Sequence, residues 1–283
     1  MNKWLRSKII TIILFAIMLV GAGLMLYPSA ANWWNSLTQT GYVASYMSEV
    51  ASMDKSEYEK ILNEAIEYNK KLSETGLNFD MTEEEMEEYN RVLNVSGSGV
   101  MGYIDIPKIN ETLPVYHNTE DTILRIAVGH IVGTSLPVGG ESSHCVVSGH
   151  RGLPTAKLFT DIVKLVEGDT WTLNVLDQVL TYEVDQIRVV EPSNMKYIQI
   201  EKGKDYCTLV TCTPYGINSH RILIRGHRIP NVQANLRVTA DAMIIDKIYV
   251  APFVAAPILI ILLIMMLVTT RKKPHVKRKT LRV

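Results

Sequence analysis

No acidic side chain stands before Pro28 or after Lys247 in this 283-residue chain; all 29 lie between them. Ten of the 29 basic residues lie outside that span: Lys3, Arg6 and Lys8 at the start, and seven after Val268. The middle therefore holds 19 basic against 29 acidic groups, a net charge of −10 hidden behind an overall charge of zero. That deficit of cations argues against a nucleic-acid partner. Charge of either sign is missing from residues 9–26 and 248–268, runs of 18 and 21 residues. Cysteine is scarce: Cys145, Cys207 and Cys212 make an odd number, which excludes a complete intrachain disulfide framework and leaves at least one thiol unpaired. No internal repeat is present, so a stacked-repeat architecture is excluded.

The two uncharged runs are each long enough to cross a bilayer core as a helix. Lys and Arg flanking such helices favour the cytoplasmic side, so both termini are expected to be cytoplasmic and the acidic middle extracellular. The basic tail, 269–283, suits contact with anionic lipid as well as a plain stop-transfer signal. Ser29-Ala30-Ala31 offers small residues of the kind found at signal-peptide cleavage sites. The first run is longer than an ordinary signal core, however, and is read as an anchor, residues 9–27, behind a basic start, 1–8.

Residues 28–98 form a helical arm in this reading. Val43, Tyr46, Val50 and Met53, then Ile61, Leu62, Ala65, Ile66, Tyr68 and Leu72, recur near a 3.6 period. Asp54 with Glu57, and Thr82 with Glu85, have capping-box spacing and mark two helix starts. After Ser96-Gly97-Ser98-Gly99 the texture changes to short β-type runs at 100–106, 113–116, 145–148, 170–176, 179–190, 206–212 and 221–225, broken by Gly and Pro. This spacing predicts a mainly β fold, a small closed or nearly closed barrel over 99–232. A linker, 233–247, and the second apolar run complete the chain.

An unpaired thiol in an oxidising compartment is a hazard unless it works. Cys212 ends the alternating run Thr208-Leu209-Val210-Thr211 and precedes the turn formers Thr213-Pro214-Tyr215-Gly216, so a rigid strand would present it at an open loop. The alternative is a buried structural thiol. A working thiolate needs an imidazole or cation nearby, and the domain offers His117, His130, His144, His150, His220 and His227 with Arg221 and Arg225. His150 is best placed, at the end of an apolar strand and between Gly149 and Arg151-Gly152. Cys145, His150, Cys207 and Cys212 can also be read as zinc ligands, but structural zinc pairs sit on tighter turns at shorter spacing. A cysteine phosphatase requires an arginine close after its cysteine on a Gly-rich turn, whereas Arg221 follows nine positions later across a Pro-containing loop.

Several stretches together resemble the sortases, and within them the pilus-assembling class C type. They are Gly102-Tyr103-Ile104-Asp105-Ile106-Pro107, Gly133-Thr134-Ser135-Leu136-Pro137-Val138-Gly139-Gly140, Ser148-Gly149-His150-Arg151-Gly152, Thr208-Leu209-Val210-Thr211-Cys212-Thr213-Pro214, and His220-Arg221. The resemblance implies an eight-stranded β-barrel flanked by two membrane helices. It implies Cys212 as nucleophile, His150 as acid and base, and Arg221 as the group that positions substrate and stabilises the oxyanion, with neither metal nor organic cofactor. It implies partners that carry an LPxTG-like sorting signal, cleaved between Thr and Gly through a thioester, with a pilin lysine as acceptor. Two alternatives remain open: attachment of surface proteins to cell-wall peptide, and a non-enzymatic membrane-tethered binding module.

Class C members usually carry a lid with an Asp-Pro-aromatic motif. Here the corresponding stretch is Asn78-Phe79-Asp80-Met81-Thr82, without the proline or the following aromatic. Asp80 and Met81 are the candidate substitutes, the carboxylate for Arg221 and the thioether for Cys212. Cys145 precedes His150 by five, as Cys207 precedes Cys212. If the two strands run parallel and side by side, Cys145 and Cys207 are level on the face opposite the catalytic pair, close enough for a disulfide only if their Cα atoms are within about 7 Å.

Overall fold

A computed structural model describes residues 3–95 and 97–231. The second apolar run, the linker and the basic tail lie outside the described residues. Helix α1 (Lys3–Ser52) begins in the basic start, runs through the first apolar run and contains Pro28. By length and composition it can cross a membrane, and none of its most apolar 18-residue window is buried by protein.

Among the described residues, 30–231 belong to one compact unit. Within it, Asp54 caps α2 (Lys55–Thr75) by accepting from Glu57 N. Thr82 and Glu85 make the full reciprocal capping box of α3 (Glu83–Arg91). The barrel follows: β1 (Val100–Ile106), β2 (Glu111–Tyr116), β3 (Val128–His130), β4 (Ser143–Ser148), β5 (Thr170–Val175), β6 (Gln178–Val190), β7 (Asp205–Thr213) and β8 (His220–Ile229). A single helical turn, α4 (Asp121–Leu124), precedes β3. The strands close in the order β1-β2-β3-β4-β7-β8-β6-β5.

Alternation along these strands separates two apolar layers. The inward one includes Ile104, Leu113, Val147, Cys145, Trp171, Tyr182, Cys207, Leu209 and Ile224, capped by Phe159 and Ile162 from the 3-10 segment Leu158–Lys164. On the outer face, Val146, Val210 and Leu223 join Val190 and Ile198. Because successive side chains point to opposite faces, Cys212 shares the outer face with Val210, and Arg221 shares it with Leu223.

The arm is bolted to the barrel through buried polar contacts. Tyr46 Oη donates to Met101 O at 3.0 Å and accepts from Leu176 N at 2.7 Å. Asn69 exchanges two hydrogen bonds with Leu136, at 3.0 and 2.7 Å. Tyr89 Oη lies 3.0 Å from His130 Nδ1. A buried hydroxyl or amide without such partners would destabilise the fold by roughly 1–3 kcal/mol, so these contacts fix where the arm can sit.

Candidate active site

The parallel pairing of β4 with β7 sets the site. Cys145 is level with Cys207 and Ser148 with Val210. The ladder continues past the strand end, where Gly149 N donates to Val210 O at 3.1 Å and the buried Thr211 hydroxyl donates to Gly149 O at 2.7 Å. Two positions beyond the Ser148–Val210 pair, this register sets His150 level with Cys212. On the other side of β7 the antiparallel ladder pairs Cys212 directly with Arg221 of β8. Three residues distant in sequence therefore converge at one end of three adjacent strands.

Local packing holds each of them. A Cβ on Gly149 would lie 2.7 Å from two Phe159 ring carbons and 2.9 Å from Val128, so only glycine lets the backbone before His150 press against the core. Phe159 N donates to His150 O at 3.1 Å. The Arg221 guanidinium donates from one nitrogen to the carbonyls of Asn218, at 3.1 Å, and His220, at 3.2 Å. Cys212 is partly exposed, whereas Cys145 and Cys207 are buried, and all three are free thiols. The core pair lies in register on the opposite face, as the equal offsets anticipate. Burial, then the hydrogen bond with Cys207, pushes the Cys145 thiol well above its ordinary range.

The sequence reading missed three neighbours. Arg151 reaches across to Thr213 Oγ1 at 3.3 Å, tying the loop after His150 to the residue after Cys212. The ring of Tyr215 lies over Gly152, whose φ of +78 and lack of Cβ leave room for it. Asp121 Oδ1 stands 3.6 Å from His150 Nε2. Arg125, bonded to the same carboxylate, holds the Asp121 carboxyl below the usual range, and His150 adds to this. Thr213 and Tyr215 lie close after Cys212 in sequence and carry some signal. Asp121 carries none, since only the fold brings α4 to His150.

Three of the other histidines have structural partners. His130 Nε2 lies 2.8 Å from Ser135 O, His144 bridges Gln199 O at 2.9 Å and the Thr208 hydroxyl at 2.7 Å, and His117 lies between Gly99 O and Val92 O. Asp80 and Met81 are placed away from the expected contacts. Asp80 is exposed and, among the described residues, forms no ion pair with Arg221. Met81 packs against the apolar cluster that joins Tyr68, Leu72 and Tyr89 of the arm to Met101 and Leu136 of the barrel. The reason is the chain path: Asn78 N donates to Gly133 O at 3.2 Å and the Thr82 capping box starts α3 four residues later, which turns Met81 inward onto α2. Leu77, just before this stretch, packs on the outer-face cluster of Val146, Val210 and Leu223.

This architecture is shared with known proteins. The sortase-domain family profile matches residues 104–229. Sortase C1 of Streptococcus agalactiae is 51% identical over 68% of this chain and 99% of its own, with a TM-score of 0.66. Sortase C of Streptococcus pneumoniae is 44% identical over 67% and 97%, with a TM-score of 0.61. Among curated relatives, Sortase D of Bacillus subtilis is 30% identical over 131 residues, 45% of this chain; the chain spans 63% of that protein. The barrel order, the convergence at the ends of β4, β7 and β8, and these likenesses agree: the chain belongs to the sortases, a family of cysteine transpeptidases, and its structural neighbours are class C sortases.

Proposed function

We propose that the protein cleaves an LPxTG-like sorting signal between Thr and Gly and transfers the acyl group to a lysine amine of a pilin, polymerising pilin subunits through isopeptide bonds. The observation that carries this reading is the direct cross-strand pairing of Cys212 with Arg221, with His150 continuing the β4 register beside them. Sortases act on LPxTG-type signals. The pneumococcal neighbour was described in connection with pilin substrate specificity, which supports a pilin as the partner here.

In this mechanism the Cys212 thiolate attacks the Thr carbonyl carbon, giving a tetrahedral oxyanion within reach of the Arg221 guanidinium. An arginine stays charged throughout, so Arg221 serves as an electrostatic and positioning group, never as a base. As the oxyanion collapses, the C–N bond breaks and His150 hands its proton to the departing glycine amine. The resulting thioester is then attacked by the lysine amine. His150 takes up the amine proton, the C–S bond breaks, and the isopeptide product leaves Cys212 as a thiolate. None of these steps needs a metal or an organic cofactor.

The proposed arrangement places the arm, 28–98, and the barrel, 99–232, outside the cell, with 233–247 leading to a second membrane helix and both basic termini in the cytoplasm. The acidic middle and basic ends of the sequence support it. Incubation of the protein with a sorting-signal peptide tests the chemistry by mass spectrometry. An acyl adduct is expected in the wild type and is lost in Cys212→Ala, while His150→Ala and Arg221→Ala form it far more slowly. A wild type that never forms the adduct refutes the reading. Resolution of the adduct by cell-wall peptide and not by a pilin lysine would replace polymerisation with wall anchoring.

A further inference from the structure

Asp121 opens α4, and its two carboxylate oxygens have different partners. Oδ2 accepts from Arg125 Nε and Nη2, each at 2.7 Å, while Oδ1 faces His150 Nε2 at 3.6 Å. The side chain is exposed, but its place is set by the backbone beneath it. Glu120 N donates to Asn118 Oδ1 at 3.0 Å, closing an Asx turn, and Asn118 N donates to Tyr89 Oη of the arm at 3.0 Å. Asn118 adopts φ +57, and its carbonyl oxygen would stand only 2.1 Å from a Cβ at position 129. Gly129 alone lets this turn lie against β3. Beyond α4, Gln39 of α1 donates to Ile126 O at 2.8 Å. Helices α1 and α3 thus both pin the turn that presents the carboxylate.

A carboxylate beside an imidazole favours the doubly protonated ring and fixes its orientation. At 3.6 Å the contact is an ion-pair distance rather than a hydrogen bond, and it gains strength when the ring is charged. With Nε2 turned to Asp121, Nδ1 is the nitrogen left for the thiol and the departing amine. Among the described residues, the charged groups at this end of the strands are Asp121 of α4, Arg125 just after it, Arg151 from the loop after His150, and Arg221 of β8, paired with Cys212 of β7. Lys157, further along the loop, is engaged with Glu111 at 3.1 Å and Asp161 at 3.4 Å. Asp121 is the one carboxylate in the set that faces His150.

We propose that Asp121 is a positioning residue for this acyl transfer, acting through His150: Oδ1 holds the imidazolium with Nδ1 toward Cys212, and Arg125 regulates that hold by occupying Oδ2. The proposal rests on the acyl-transfer reading above and adds a fourth side chain, tethered to the arm, to its machinery.

The test reads the His150 ring in the full-length protein in detergent micelles, with isotope-labelled histidine and His150→Gln to assign its signal. Asp121→Asn keeps the size of the side chain and is expected to change the nitrogen shift of His150 Nε2, the atom that faces the carboxylate. Arg125→Met frees Oδ2 and is expected to move the same signal in the opposite direction. With a sorting-signal peptide, kcat/KM of Asp121→Asn is expected to fall roughly two- to five-fold, the scale of an exposed ion pair. The melting temperature should not move. Coincident Nε2 signals for wild type and Asp121→Asn overturn the proposal, even with peptide turnover intact. A wild type that forms no Cys212 adduct sinks the acyl-transfer reading and this proposal together, so the two failures are distinguishable.

Discussion

Gly149→Ala is the most informative single change near the site, because its consequences can be worked from distances. A methyl at this position meets Phe159 Cδ2 and Cγ at 2.7 Å and Val128 Cγ1 at 2.9 Å, where ordinary contact begins at 3.4 Å. The ring would have to withdraw by about 0.7 Å, yet Phe159 and Val128 are fully buried, where protein interiors are close-packed. The strain therefore falls on the Gly149 backbone, which is held between Val210 and Thr211 on one side and carries His150 on the other. Overpacking of this kind destabilises by about 1–3 kcal/mol, which lowers the melting temperature of a domain this size by roughly 3–10 °C. Displacing His150 by a fraction of an ångström should reduce kcat/KM on a sorting-signal peptide by ~10- to 100-fold. Phe159→Leu in the same chain relieves the clash, so it should cost clearly less in the Gly149→Ala background than in the wild type. Calorimetry and peptide turnover on the four proteins of this cycle provide the test. A Gly149→Ala protein with wild-type melting and turnover, or strictly additive effects, would refute the assignment of Gly149 as the packing constraint behind His150.

Burial pushes His130 and His144 each down to about 4, against an ordinary 6.5. Both are neutral in the fold, so their contribution to stability is present above about pH 6.5 and is lost as pH falls toward 4. Melting temperatures should decline across that window, and His144→Gln should flatten the decline; an unchanged slope would contradict the assignment. A thiol-labelling reagent should modify Cys212 in the native protein and reach Cys145 and Cys207 only after unfolding, as read by mass spectrometry after digestion. Native labelling of Cys145 would be inconsistent with the sealed pair. Leu77→Ala uncovers part of the outer apolar layer shared with Cys212, and KM for a sorting-signal peptide should fall about three- to ten-fold if the peptide lies along that layer. An unchanged KM would remove Leu77 from the substrate path.

Seven of the eight strands are legible in the sequence because their alternation runs for several residues. Strand β3 is not: Val128, Gly129 and His130 are all buried, and three residues cannot display a period. The continuity of α1 through Pro28 is equally hidden, since a proline there reads as a boundary between anchor and arm. At the site, Cys212, His150 and Arg221 stand out through turn chemistry and family likeness, and the Cys145–Cys207 level pair follows from equal offsets in parallel strands. Asp121 and Arg151 are invisible for a physical reason. Their partners are fixed by the convergence of a helical turn and a loop, which no local pattern encodes. The lid reading of Asp80 and Met81 followed a motif's position, and the structure packs Met81 on the cluster of Tyr68, Leu72 and Tyr89 and leaves Asp80 exposed. The Thr82 cap, also legible in the sequence, determines which way those side chains turn.

The barrel order has a consequence for how the protein comes into being. Strand β8 lies between β7 and β6, and it is the last of the eight to leave the ribosome. Until it arrives, β6 and β7 each present an open edge, the state in which strands recruit the wrong neighbours. Cys212 is by then already synthesised, but Arg221 is not, and the strand that closes the cylinder also supplies it. A nascent or truncated chain therefore holds the thiol without its cationic neighbour, and the two meet only when the cylinder closes.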